Sequence, residues 1–173
     1  MEERRVRQPV VLLADDEEAS REVLAYHLGE LGLSVEAVAD GRTATGRFDA
    51  ERHQFVVTDL KMPLADGMAV LRHVQERSPG TPVIVVTAFA SIPAAVAAMR
   101  AGAYDFIGKP FDREQLGVVV RRALEHVRLV QENSRRSVQE LGAAAGLSAS
   151  ACHRRLKTLE EEGVILGYRA VLD

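Results

Sequence analysis

The sequence has few or none of several features that would place it in particular protein classes. Its 173 residues include one cysteine, Cys152, and no tryptophan. A single cysteine cannot form an intrachain disulfide or a cysteine-based zinc site, which fits a reducing cytoplasm. No apolar run is long enough to cross a bilayer, and the charged start, Met1 to Arg5, lacks the apolar stretch of a signal peptide. We therefore expect a cytoplasmic protein with no membrane partner.

Neither positive nor negative charge predominates in the sequence. The formal net charge is −3, so the chain as a whole has no broad basic field. From Ser134 onward six cationic side chains stand against five acidic ones, a net +1, which leaves −4 for the part before it. Only the residues from Ser134 onward could bind a polyanion, and only through one face. The length allows one domain of ordinary size and a small second one.

Short apolar runs alternate with amphipathic segments over about the first 130 residues. The runs predict five strands, at Val10–Ala14, near Ser34–Ala39, at Phe55–Thr58, at Pro82–Thr87 and at Ala103–Gly108. The segments between them predict helices, one ending before Gly32, then about Arg42–Glu51, around Met68–Val74 and about Ser91–Gly102. Such alternation predicts right-handed crossovers and an α/β domain with one five-stranded parallel sheet.

Four of the five predicted strands end on polar side chains. Asp15 and Asp16 follow the first, Asp59 the third, Thr87 ends the fourth, and Lys109 follows the fifth. The carboxyl ends of parallel strands share one edge, where clustered carboxylates repel one another and a hard cation such as Mg²⁺ relieves the repulsion. Taken singly, each residue has a plainer explanation, as a helix-start acid, a turn residue or a loop lysine. Together they predict transfer of a phosphoryl group onto Asp59, with Lys109 neutralising charge and Thr87 binding the product.

These motifs closely resemble the receiver domain of two-component response regulators. The resemblance covers about residues 8–125 and is carried by Asp15-Asp16, Thr58–Pro63, Asp66-Gly67, Val85–Ala88 and Lys109–Phe111. The segment Ala101–Phe106 is similar to receivers of the nitrogen-regulator (NtrC) type. The resemblance implies a doubly wound, flavodoxin-like sheet of strand order 2-1-3-4-5.

The resemblance also implies a chemistry for the strand ends. Asp59 would accept a phosphoryl group from the phosphohistidine of a sensor histidine kinase. Asp16, Asp59 and the backbone carbonyl of Lys61 would hold Mg²⁺, with Asp15 acting through water. The protein would then be no enzyme beyond weak self-catalysed phosphotransfer and dephosphorylation.

A conformational switch is implied by the same resemblance. Phe106 stands where the family has an aromatic residue that turns inward when Thr87 moves toward the phosphoryl group. A phenylalanine here lacks the hydroxyl of a tyrosine, so any hydrogen bond from the ring is lost. The Lys109-Pro110 bond would be a cis peptide.

A long helix is predicted from Asp112 to about Asn133. Its apolar residues recur at alternating steps of four and three, which gives a heptad-like seam of Leu116, Val120, Ala123, Val127 and Val130. Packing on the sheet explains the first half of this helix. The second half, past His126, needs another surface, so we expect residues 112–133 to join the receiver to a domain formed by residues 134–173.

Two short helices and a short strand are predicted in residues 134–173. Ser137 would begin the first helix, with Glu140 in capping-box spacing, and Ser148 would begin the second. The strand would cover Val164–Leu172. The second helix places Ser150, Arg154 and Lys157 opposite its apolar side, flanked by His153 and Thr158. Such a helix can enter a major groove, but an amphipathic hairpin with a solvated basic face explains the pattern equally well.

The segments Leu147–Leu156 and Leu159–Ile165 resemble the winged-type DNA-binding domain of the leucine-responsive regulatory protein family (Lrp/AsnC). The resemblance implies a small all-α helix-turn-helix domain and makes Cys152 a core residue. Arg136 and Gly142-Ala143 depart from the family pattern, and the family's ligand-binding domain has no counterpart before the sequence ends at Asp173. The expected DNA-contacting residues are Ser148, Ser150, His153, Arg154 and Lys157.

The sequence therefore predicts a DNA-binding response regulator, active as a homodimer because one helix-turn-helix buries too little surface for high specificity. The alternative is a phosphorelay or protein-interaction module whose last domain binds no DNA. A phosphatase of the haloacid-dehalogenase class is a third hypothesis. It is disfavoured because that class carries a second acid two residues after the nucleophile, where this chain has Lys61.

Overall fold

The structure, a computed structural model, describes residues 8–144 together with 148, 150, 151, 153, 154, 157 and 158. Among residues 133–144, it describes the side chain of Ala143 alone. The chain divides into two compact units, Met1–Val127 and Arg128–Asp173. The predicted strand over 164–172 and the predicted core position of Cys152 lie outside the described residues.

The first unit is built on one parallel sheet. Its strands, all confirmed from the sequence pattern within one to two residues, are β1 (Val10–Ala14), β2 (Ser34–Val38), β3 (His53–Thr58), β4 (Val83–Thr87) and β5 (Asp105–Gly108). Their order across the sheet is β2-β1-β3-β4-β5, and every neighbouring pair is parallel. This is the doubly wound α/β fold predicted above.

Helices connect the strands and cover both faces of the sheet. They are α1 (Glu18–Glu30), α2 (Gly41–Arg47), α3 (Gly67–Arg77), α4 (Ile92–Arg100) and α5 (Arg113–Ala144). A side-chain oxygen caps the start of four of them by accepting a backbone N–H, and these oxygens belong to Asp40, Asp66, Ser91 and Asp112. The helix predicted at about Arg42–Glu51 is shorter than expected, because buried Phe48 leaves the helix in an extended conformation.

The core consists of two layers separated by the sheet. Successive residues of β1 point to opposite faces, so Leu13 joins the layer covered by α1 and α5, whereas Leu12 joins the layer covered by α2, α3 and α4. Both residues are fully buried, as are most residues of β3 and β4. A sheet covered on both faces leaves its edges for ligands, and the carboxyl edge carries the polar residues.

The fifth helix is longer than the sequence predicted. It runs without interruption from Arg113 to Ala144, so the predicted end near Asn133 and the predicted new helix at Ser137 are both wrong. Between Gly117 and Gly142 the sequence has no glycine or proline to stop it. The heptad-like seam is buried from Leu116 to Val127, as expected for packing on the sheet. None of the helices that the structure describes is both long and apolar enough to span a bilayer.

An acidic side chain on β2 is surrounded by cationic and imidazole side chains. Glu36 is 13 % exposed and pairs with Arg47 at 3.3 Å, Arg52 at 2.8 Å and the buried His53 at 3.3 Å. The backbone N–H of Asp49 donates to Nδ1 of His53, which leaves Nε2 to donate to Glu36. Burial raises the pKa of Glu36, but the hydrogen bonds from Arg47 and His53 and the charge of Arg52 hold that pKa below its ordinary value.

We expect this carboxylate to make stability depend on acid. Because the pKa of Glu36 is lowered in the folded state, its contribution is complete above the ordinary glutamate pKa of 4.5 and is lost as pH falls through the lowered value. Glu36→Gln should therefore have a shallower loss of unfolding free energy with acid, measured by urea unfolding across that range. The exposed Glu22→Gln should leave the profile unchanged. A wild-type profile identical to that of Glu36→Gln would contradict this assignment.

Candidate phosphoacceptor site

The predicted polar residues come together at the carboxyl edge of the sheet. Asp59 follows β3 directly, and its backbone N–H donates to the carbonyl of Ala14 at the end of β1 at 2.9 Å. The backbone N–H of Lys109 donates to the carbonyl of Thr87 at 2.8 Å, which joins the ends of β4 and β5. Parallel pairing thus places these side chains on one edge, as the strand pattern predicted.

Asp59 is 7 % exposed and both of its carboxylate oxygens are engaged. Oδ1 accepts from the Thr87 hydroxyl at 2.7 Å and from the backbone N–H of Lys61 at 3.1 Å. Oδ2 accepts from Nζ of Lys109 at 2.9 Å. The buried Thr87 hydroxyl also accepts from the backbone N–H of Phe89 at 3.2 Å. The hydroxyl and the ammonium group thus fix the orientation of this carboxylate at the edge of the sheet.

Lys109 bridges the two buried carboxylates. Its Nζ donates to Oδ2 of Asp15 at 2.7 Å as well as to Asp59. Burial alone lowers the pKa of Lys109, but the hydrogen bonds to Asp15 and Asp59 outweigh it, so the pKa lies above its ordinary value. The side chain is therefore an ammonium ion at neutral pH. The predicted cis peptide between Lys109 and Pro110 is confirmed.

Three carboxylates at this edge fit a divalent cation. Asp15, Asp16 and Asp59 each offer an oxygen, and these oxygens lie within 4.8 Å of one another. Asp15 and Asp59 are buried while Asp16 is exposed, so the cluster has a dry side and a side open to water. Mg²⁺ prefers one or two carboxylates with water molecules completing its shell, and this donor set suits it. The Lys61 carbonyl remains a predicted ligand.

Two of the neighbours of the site were not predicted. Ser20, in the first turn of α1, donates its hydroxyl to Oδ2 of Asp15 at 2.8 Å. Nζ of Lys61 lies 3.6 Å from the ring centroid of Phe89, a cation–π contact between the loops that follow β3 and β4. Ser20 lies five residues after Asp15, and this spacing alone does not indicate a contact between the end of β1 and the start of α1. The pairing of Lys61 with Phe89 depends on two loops and has no local sequence signal.

The predicted switch residues lie on adjacent strands. Phe106 pairs with Val85, and Thr87 pairs with Gly108 two positions further along the same two strands. Phe106 is half-buried and packs against the core layer under α3 and α4. The rotation of this ring stays a prediction.

A glycine packs against the backbone of Asp59. A Cβ atom on Gly67 would lie 2.0 Å from the carbonyl oxygen of Asp59 and 2.9 Å from Cα of Leu60. Gly67→Ala should therefore reduce the free energy of unfolding by about 3 kcal/mol, because backbone atoms must move. Gly46→Ala, where a Cβ meets nothing within 4 Å, is the matched control. Equal stability of the two variants in urea unfolding would contradict this packing.

The predicted DNA-contacting residues belong to the second unit. Ser150, His153, Arg154 and Lys157 are helical and exposed, at spacings that place them on one helix face. Ser148 is exposed as well, and its hydroxyl accepts from the backbone N–H of Ala151 at 3.3 Å, as expected where a helix begins. The start predicted for this helix is thus confirmed, and the DNA contacts stay a prediction.

Sequence comparison assigns both parts of the chain. The family model of the response regulator receiver domain matches residues 11–121, and that of a winged helix-turn-helix DNA-binding domain matches residues 127–165. The C4-dicarboxylate transport transcriptional regulatory protein DctD of Pseudomonas aeruginosa is 44 % identical over 126 residues, which cover 73 % of this chain and 27 % of that protein. The DNA-binding transcriptional regulator NtrC of Escherichia coli is 30 % identical over 146 residues, covering 84 % and 31 %.

Solved structures share the fold of the first unit. A response regulator receiver domain protein from Clostridium thermocellum superposes with a TM-score of 0.64 at 26 % identity, covering 70 % of this chain and 98 % of that one. The chain spans about three-tenths of the length of the two regulators above. With its strand order, its strand-end residues and the two family matches, the chain belongs to the two-component response regulators, with a receiver domain of the NtrC and DctD kind and a winged helix-turn-helix segment.

Proposed function

We propose that a sensor histidine kinase phosphorylates Asp59 and that this modification controls DNA binding and transcription. The observation that carries the proposal is the environment of Asp59, whose buried carboxylate contacts the Thr87 hydroxyl and the Lys109 ammonium beside a set of carboxylates suited to Mg²⁺. The receiver match over residues 11–121 supports the same chemistry.

In the proposed reaction, a carboxylate oxygen of Asp59 attacks the phosphorus of a phosphohistidine. A phosphorus–oxygen bond forms as the phosphorus–nitrogen bond breaks, and the imidazole leaves with the electron pair. Asp16, Asp59 and the Lys61 carbonyl would hold Mg²⁺, with Asp15 acting through water, and the cation would supply positive charge to neutralise the phosphoryl oxygens. Beyond weak self-catalysed transfer and hydrolysis, we propose no enzymatic activity.

Lys109 and Thr87 have separate roles in this proposal. Lys109 already contacts Oδ2 of Asp59 as an ammonium ion, so it can follow the negative charge onto the phosphoryl group without first gaining a proton. The Thr87 hydroxyl donates to Asp59 and can be redirected to a phosphoryl oxygen. Its movement would vacate space beside β5, into which Phe106 would turn.

We propose that residues 134–173 form an Lrp/AsnC-type domain that α5 joins to the receiver of residues 8–125. The helix-turn-helix match begins at residue 127 and α5 ends at Ala144, so the first part of that match lies in the same helix that begins in the receiver. The DNA contacts would come from Ser148, Ser150, His153, Arg154 and Lys157, which are all exposed. Two copies would read two half-sites as a homodimer.

Selection of bound DNA from a random-sequence pool tests this function. Wild type treated with Mg²⁺ and acetyl phosphate should recover a defined sequence, and Asp59→Asn under the same treatment should recover the same sequence less efficiently or not at all. Failure of wild type to enrich any sequence would contradict it. Absence of retention on bulk DNA even at low salt would then favour the alternative, a phosphorelay or protein-interaction module, since phosphate contacts are strongest at low salt.

A further inference from the structure

Asp15 is anchored in the phosphoacceptor site by hydrogen bonds from the start of α1. It is fully buried, and each of its carboxylate oxygens accepts a hydrogen bond from the start of α1. Oδ1 accepts from the backbone N–H of Glu17 at 3.0 Å, and Oδ2 accepts from the Ser20 hydroxyl at 2.8 Å. These two donors, one on the residue before α1 and one in its first turn, each bind one oxygen and so fix the plane of the carboxylate.

The two donors to Oδ2 differ in what else they contact. Nζ of Lys109 reaches Oδ2 of Asp15 at 2.7 Å but also contacts Asp59, so its position depends on the charge carried by Asp59. The Ser20 hydroxyl donates to Asp15, and its half-buried position in α1 does not depend on Asp59. If Lys109 follows a phosphoryl group, Ser20 remains to hold Oδ2 in place.

The anchoring extends to the backbone. A guanidinium nitrogen of Arg21, the next residue in α1, donates to the carbonyl oxygen of Asp15 at 2.7 Å. The start of α1 therefore holds Asp15 at three atoms, and Ser20 supplies the one of these contacts that comes from a neutral side chain. A hydroxyl that orients a carboxylate near a cation is an outer contact of the kind that tunes metal affinity.

We propose that Ser20 is a positioning residue for the phosphoacceptor site. Its hydroxyl holds the Asp15 carboxylate in the orientation in which that group faces the cation and Lys109. The inference rests on the proposed function, because it assumes that Asp15, Asp16 and Asp59 bind Mg²⁺. Ser20 would act through Asp15, without contacting the phosphoryl group or the cation itself.

The test compares Ser20→Ala and Ser20→Thr with wild type in the full chain. Mg²⁺ affinity is measured by calorimetric titration at fixed pH and ionic strength. The Kd should rise by about 10-fold in Ser20→Ala, at the lower end for outer contacts, since Glu17 and Lys109 still hold Asp15. Ser20→Thr keeps the hydroxyl and should restore the wild-type Kd. Thr45→Ala, which removes a hydroxyl from α2, is the matched control and should leave the Kd unchanged.

A second measurement reports orientation without Mg²⁺. The amide proton of Glu17 donates to Oδ1 of Asp15, so its NMR chemical shift should change in Ser20→Ala and return in Ser20→Thr. An unchanged Kd in Ser20→Ala, or a Ser20→Thr that behaves like Ser20→Ala, would overturn the role of Ser20 and leave the proposed metal site standing. A wild type that binds no Mg²⁺ would overturn the proposed metal site and the inference with it, and the two failures are therefore distinct.

Discussion

Asp59→Asn should reduce phosphate incorporation from acetyl phosphate by about 10³-fold or more in the presence of Mg²⁺, since loss of a covalent nucleophile has effects of at least this size. The physical reason is that the asparagine amide cannot attack phosphorus, although it still fits between Thr87 and Lys109. The structure places Asp59 beside the bridging ammonium of Lys109, and no other residue was predicted to be the acceptor. Intact-mass measurement over time gives the incorporation directly.

A matched variant separates the acceptor from a general effect of removing an acid. Asp112 caps the start of α5 by accepting the backbone N–H of Gln115 at 2.6 Å, and asparagine caps helices as well as aspartate does. Asp112→Asn should therefore incorporate phosphate at the wild-type rate. Full incorporation by Asp59→Asn, or equal loss in the two variants, would show that the acceptor lies elsewhere.

The double variant Arg154→Ala/Lys157→Ala should bind DNA about 10- to 100-fold more weakly at moderate salt. Both side chains are exposed on one face of the second-unit helix, where each can neutralise a phosphate and release a counterion. The slope of log affinity against log salt should become shallower by about two, because roughly one unit is lost with each phosphate contact. Fluorescence anisotropy at several salt concentrations measures both quantities.

The control for Arg154→Ala/Lys157→Ala removes the same charge from the receiver. Arg72 and Arg77 are exposed on α3, and their replacement by alanine changes the net charge equally without touching the second unit. The control should keep the wild-type salt slope. If the two double variants lose affinity to the same extent, DNA binding reflects total charge and the proposed contact face is wrong.

Much of the receiver could be predicted because its signals are local. Buried parallel strands are continuous apolar runs, and the residue after each run is fixed at the sheet edge by the strand itself. Asp15, Asp59, Thr87 and Lys109 could therefore be placed together without coordinates. Their hydrogen bonds to one another, 2.7–2.9 Å long, agree with that placement.

Other features could not be predicted, for two physical reasons. A capping box such as Ser137 and Glu140 starts a helix only where the residues before it are not helical. Here α5 continues through both residues, so the pattern starts no new helix. Ser20 and Phe89 were missed because their contacts, with Asp15 and Lys61, are made across the ends of different elements. Spacing along the sequence predicts which face a residue occupies but not which neighbour it meets.

We expect a charge at Asp59 to change the affinity of this chain for DNA. Beryllofluoride with Mg²⁺ occupies an aspartate as a phosphoryl group does, so the affinity for the selected DNA sequence can be compared with and without it. We expect a changed Kd for wild type and the same Kd for Asp59→Asn under both conditions. An unchanged wild-type Kd, with beryllofluoride bound at Asp59 as seen by fluorine NMR, would contradict the coupling.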